Sequence, residues 1–229
     1  LKANQNIVTG NITNPGRSIA IDSTNGSIDT TKGTIDTIST TGNGGNITLT
    51  SPGNINTSIV QSRADNTGTS GSITFTSNAG TITSGIVDAS SRNTANGNNV
   101  NIKASDSVSA INVTTAAFLS GGSGNAGSVT ISSNTGTIDI GLIDARSNRI
   151  NGNGGAVTLN SAKGITVATD ILTYADTATG NTGNAGPINL TTTNGNISAN
   201  NVFSSTLTGS GNAGNAGKIT ATATQGDIT

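Results

Sequence analysis

Cysteine does not occur in this chain, and its absence removes disulfide staples and thiolate metal sites from consideration. Histidine is missing as well, so a serine or threonine nucleophile has no imidazole beside it to take its proton. Methionine, tryptophan and glutamate are also absent, and aromatic rings are confined to Phe75, Phe118, Tyr174 and Phe203. Charge is scarce: 9% of residues carry it and the net value is −1. The ten Lys and Arg residues are scattered, without the clustered basic face that draws in nucleic acid or acidic lipid. No apolar run approaches the roughly 18 residues of a membrane-crossing helix, so no membrane insertion is expected.

Glycine, asparagine, serine and threonine dominate what is present. Hydrophobic residues at 31% are too few for a thick globular core, yet the low charge is unlike a disordered chain. Their spacing resolves the contradiction. The stretch 71–83 reads Gly-Ser-Ile-Thr-Phe-Thr-Ser-Asn-Ala-Gly-Thr-Ile-Thr, and its pattern returns from end to end. Units begin at Ile19, Ile47, Ile73, Val100, Val129, Val157, Ile188 and Ile219, with spacings of 28, 26, 27, 29, 28, 31 and 31 residues. Residues 1–18 read as the tail of a preceding unit, closed by the turn Asn14-Pro15-Gly16, and the whole 1–229 as one segment of a longer array.

Each unit opens with strict alternation, as in Ile47-Thr-Leu-Thr, Ile73-Thr-Phe-Thr and Val157-Thr-Leu-Asn. Period two puts aliphatic groups on one face and hydroxyls on the other, which a helix cannot do. Seven residues into most units stands a glycine (Gly26, Gly80, Gly136, Gly164, Gly195, Gly226), with Gly53 one residue early and Ser107 as the exception. A turn at positive φ is expected there. A second strand follows, then a third segment with apolar pairs such as Ile59-Val60 and Leu142-Ile143, then a Gly-rich connection that takes up nearly all the length variation. Three short strands and three corners per unit describe one coil of a parallel β-helix, an all-β solenoid in which each strand pairs with its counterpart one coil on. Seven and a half coils at about 4.8 Å each give a rod on the order of 36 Å long. Asn96, Asn125, Asn153, Asn184 and Asn215 recur at one corner and predict a ladder of amides. A sandwich of hairpins also accommodates alternation and turns, but requires no fixed unit.

Aligned in this way, Gly45-Asn-Ile-Thr-Leu-Thr-Ser, Asn78-Ala-Gly-Thr-Ile-Thr, Asn134-Thr-Gly-Thr-Ile-Asp and Asn194-Gly-Asn-Ile-Ser resemble the repeat region of filamentous haemagglutinin-like exoproteins, passengers of bacterial two-partner secretion. The unit length is most similar to cyanobacterial versions. This resemblance implies a right-handed parallel β-helix, export through an outer-membrane partner pore, and adhesion at the cell surface. The amino-terminal domain that such a pore reads is not found in this sequence, and the repeat region carries no motif from which a binding residue could be transferred.

The residues themselves offer few sites. Asp88 and Asp144 occupy equivalent places with Arg92 and Arg146 close behind, two coils and about 10 Å apart. That is near the upper limit for an inverting carboxylate pair, with only Thr115 between them, and the four are expected to be solvated surface charges. Asp22, Asp29 and Asp36 supply too few oxygens for a calcium cage. No catalytic residue, metal or cofactor is expected. The outward threonines are the better candidates: Thr48, Thr74, Thr130, Thr158 and Thr220 in one file, Thr50, Thr76, Thr191 and Thr222 in its neighbour, interrupted by Asn101, Lys103, Asn160 and Asn189. These faces and the loops 61–70, 89–98 and 145–154 are expected to meet a carbohydrate or protein receptor. The alternatives are an ice-binding threonine lattice and a filament subunit that stacks end to end.

Overall fold

A computed structural model describes residues 1–92, 94–118 and 123–229, and among them every paired strand runs parallel to its partner. No helix occurs in the described residues. The first sheet has nine strands in sequence order, from Lys2–Ala3 through Ile19–Ser23, Ile47–Ser51, Ile73–Ser77, Val100–Ala104, Val129–Ser133, Val157–Ser161 and Ile188–Asn194 to Ile219–Gln225. Ile47 pairs with Ile73, Ile73 with Val100 and Val100 with Val129, so the aliphatic residues that open each unit lie in one file. The hairpin sandwich is thereby excluded and the parallel β-solenoid stands, with coils about 28 residues apart.

The second sheet explains how a coil closes. Ile28–Asp36, Ile55–Gln61, Ile82–Asp88, Val108–Thr114, Thr137–Asp144, Gly164–Leu172 and Ile197–Phe203 each carry both the second and third apolar segments of their unit as one hydrogen-bonded strand that bends. In Ile55–Gln61 the inward residues are Ile55, Thr57 and then Val60, with Ser58 and Ile59 both turned partly outward. Two residues between inward positions, where regular alternation has one, shift the alternation and turn the chain around the core. Glycine is required at two of these bends, since a Cβ at Gly85 or Gly141 would lie 2.3 Å from the carbonyl oxygen of Ser58 or Ile111 in the coil before.

Crowding also accounts for the corner glycines. The chain bends at or beside these glycines as expected, but only Gly164 (φ 156°) and Gly195 (φ 141°) of that series have positive φ, which corrects the positive-φ expectation for the others. At Gly26, Gly80 and Gly136 an added Cβ would meet atoms of the preceding coil at 2.4 Å. Stacking at strand spacing leaves no room there for a side chain. Corner amides do form a ladder, and its main bond is side chain to backbone: the Oδ1 of Asn96, Asn125, Asn153 and Asn184 accepts from the N–H of Asn125, Asn153, Asn184 and Asn215 at 2.7–2.8 Å.

The core between the sheets is a column of Ile, Val and Leu with Phe75 between Leu49 and Ile102. Each fully buried side chain of this kind contributes about 1.5–3 kcal/mol. Where the third segment meets the next first strand, buried hydroxyls close the ring: Thr37 donates to Gly45 O, Ser62 to Gly71 O and Thr115 to Gly127 O, each at 2.6 Å, and Thr173 to Gly186 O at 2.7 Å. A third side completes the coil. Single parallel bridges link Ser39, Ala64, Ser91, Ala117, Ser147 and Ala175 from one coil to the next, and Ala175–Thr177 pairs with Thr206–Thr208.

Candidate functional site

Register places the threonines as their alternation requires. Along the first sheet Thr48, Thr74, Asn101, Thr130, Thr158, Asn189 and Thr220 stand in one outward file. Thr50, Thr76, Lys103, Ser132, Asn160, Thr191 and Thr222 stand in the file beside it. All nine candidate threonines therefore share one face. From Ile47 onward its chemistry is uniform hydroxyl and amide with a single charge, Lys103, near the middle, while Asp22 and Lys2 continue the second file before it. The face contains neither an aromatic ring nor a carboxylate among the paired positions from Ile47 onward.

Most of the reactive chemistry lies elsewhere. The outward positions of the third side run in three neighbouring files: Gln61, Asp88, Thr114, Asp144, Leu172 and Phe203; Arg63, Ser90, Ala116, Arg146, Tyr174 and Ser205; Asp65, Arg92, Phe118, Asn148, Asp176 and Leu207. Three of the four aromatic residues and eight charged ones are gathered on this side once Asp170 at its edge is included. The loops 61–70 and 145–154 and the described part of 89–98, from which residue 93 lies outside, pack against the body. They form this side, with Ser62, Ala64, Ala89, Ser91, Ala145 and Ser147 all buried.

Asp88 and Asp144 are likewise not solvated, since their exposures are 7% and 4%. They point outward but are covered by their partners. Arg63 reaches Asp88 at 3.3 Å while its Nε meets Asp65 at 3.2 Å, and Arg92 lies 4.0 Å from Asp88. Asp144 Oδ2 lies 3.3 Å from Arg146 Nε, off the N–H axis, and its Oδ1 accepts from the Arg146 backbone N–H at 3.2 Å. Burial pushes the Asp144 carboxyl above its ordinary value and Arg146 offsets only part of this. The residue between the two carboxylates in register is Thr114, while Thr115 faces inward. Asp22, Asp29 and Asp36 do not converge: Asp22 pairs with Lys2, Asp29 accepts from Thr31 and Asp36 from the Ile38 N–H.

Arg146 orders the aromatic part of the site. Its guanidinium lies 5.5 Å from the Phe118 ring centre and 5.7 Å from that of Tyr174, one coil to either side. Its Nη1 also donates to the Tyr174 hydroxyl at 2.6 Å. Burial works against this charge, but the Tyr174 hydroxyl and Asp144 outweigh it and hold the guanidinium above its ordinary value. Beyond Tyr174 a groove of about 460 Å³ opens between Leu172, Tyr174 and Asp176 of one coil and Phe203, Ser205 and Leu207 of the next. Asp170 stands at its edge and accepts from Asn201 at 2.9 Å.

One cation lies inside the solenoid. Arg149 is fully buried, and its Nη2 reaches Ser91 O and Oγ at 3.4 Å while Nε and Nη1 have no partner. Burial alone lowers its pKa. Among the described residues no group of three or more carboxylates is placed to hold a metal ion. Family profiles, curated proteins and solved structures give no match to this chain.

The sequence singled out the threonine files correctly in position but missed the third side. A signal was present: Phe118, Tyr174 and Phe203 all fall in the segment after the second strand. Their common side emerges only when the bend in each coil is known.

Proposed function

We propose that this chain is a stalk and display segment of a secreted bacterial surface adhesin, a rigid rod that presents its outer faces to carbohydrate or protein. The observation that carries this reading is the unbroken parallel pairing of coil to coil along two sheets, which makes each coil the template for the next and leaves the outer faces to vary. Export through an outer-membrane pore by way of a separate amino-terminal domain belongs to the same reading and rests on the family resemblance alone. Labelled chain should bind cell surfaces or immobilised polysaccharide in a saturable way. Absence of binding to all of them would reduce the segment to a passive spacer.

The in-register threonine files favour a second reading, ice binding through the first sheet. Thermal hysteresis and ice shaping would test it, with Lys103→Thr raising the activity because it restores the interrupted file.

A further inference from the structure

We propose that the groove beside Tyr174 and Phe203 is a binding site for a neutral hexose polymer lying along the solenoid axis, an inference that rests on the display reading above. A sugar ring has an apolar C–H face and an edge of hydroxyl donors. The groove offers the complement of both, with apolar walls at Leu172, Tyr174, Phe203 and Leu207 and carboxylates at Asp170 and Asp176. Sites for small polar ligands commonly combine apolar walls with a few placed polar groups in this way.

Two further observations single out this ligand class. The Tyr174 ring is fixed before any ligand arrives, because Arg146 holds its hydroxyl and packs against its face, and Asp170 is oriented by Asn201. Less ordering is then lost on binding. Charge is the second. The groove's own charges are the carboxylates of Asp170 and Asp176, while Asp144 and Arg146 lie one coil behind, and Asp176 acts on Arg146 electrostatically. The two carboxylates repel a polyanion and the neighbouring guanidinium offsets their pull on a polycation, whereas a neutral polyhydroxyl chain can donate to the carboxylates and is not repelled by the guanidinium. Phe203 and Leu207 point outward, so a further coil stacked beside them would lengthen this groove and not cover it.

The test is binding of the intact chain to immobilised glucan and mannan, to polygalacturonate and heparin, to a lysine-rich peptide and to cell surfaces, with wild type beside Phe203→Ser, Asp176→Asn and the control pair Thr130→Ala and Thr158→Ala. The expected result is saturable binding to a neutral polymer that falls by about tenfold or more in each groove variant, as for loss of a packed ring or a charge-assisted hydrogen bond, and is unchanged in the controls. Unaltered melting temperatures would show that both groove variants still fold. Retained binding in the groove variants, or preference for polygalacturonate, heparin or the peptide, would overturn the assignment. Cell binding without any neutral-polymer binding would overturn it while leaving the display reading intact. Failure on every surface would remove both.

Discussion

The outer face of the first sheet and the outer side formed by the third segments are built on the same coil, yet they differ in nearly every chemical respect. The first is flat, repetitive and polar, and its strands from Ile47–Ser51 to Val157–Ser161 are each five residues long and pair without a register shift. The second gathers buried ion pairs, three aromatic rings and a groove over a backbone joined largely by single bridges. The contrast shows how labour is divided in a solenoid. Along the flat first sheet, side chains repeat and the surface stays uniform. Where the backbone needs only one bridge per coil, side chains are free to differ.

That division can be tested by breaking each part in turn. The largest effect is expected for Gly155→Val, because a Cβ there would sit 1.8 Å from Gly127 O and force two coils apart. A loss of about 3 kcal/mol or more, read from thermal or urea unfolding, is the expected outcome. Next is Ile131→Ala on the inward face of the first sheet, expected to lose about 2–5 kcal/mol, against Thr130→Val on the outward face beside it, expected to stay within about 0.5 kcal/mol. Equal effects in the two would show that the inward and outward faces are not distinct in energy.

Thr115→Val probes the closure between the two regions, since it strips the hydroxyl that donates to Gly127 O. A buried carbonyl left short of its donor should cost about 1–3 kcal/mol. On the interior of the third side the sign reverses. Arg149→Met removes a buried cation that has no carboxylate partner and should stabilise the fold by on the order of 1 kcal/mol.

The smallest effect is a pH dependence. Asp144 has its pKa raised above 3.8 by burial, so the folded state binds its proton more tightly than the unfolded one does. Its contribution is fully present below about pH 3.8 and is lost as pH rises through the folded value. Asp144→Asn should therefore flatten that part of the stability profile relative to wild type, as followed by urea midpoints across the acid range.

Much of this was legible beforehand. Alternation in Ile73-Thr-Phe-Thr fixed which residues enter the core, and the near-constant spacing placed Ile47, Ile73 and Val129 in a single file. The burial of Asp88 and Asp144 is not legible in the sequence, because it depends on which side chains lie across them. Arg63 and Arg92 lie across Asp88, Arg146 flanks Asp144, and Arg63 comes from a different coil. The corner glycines were correctly marked as special but for the wrong reason at most positions, since a close approach between coils leaves the same single-residue signature as a positive φ. The groove was invisible because Tyr174 and Phe203 stand 29 residues apart in the chain and become neighbours only across two stacked coils.

By itself the sequence pointed to the parallel solenoid, its core and the threonine face, because a period of two within strands and of about 28 between them favours stacked identical coils over a hairpin sandwich, which needs no fixed unit. Only the tertiary structure decided which outward residues are covered, which loops are walls and where a groove opens. Those properties depend on the bend inside each coil and on side chains reaching from one coil to the next, and neither leaves a periodic trace in the order of amino acids.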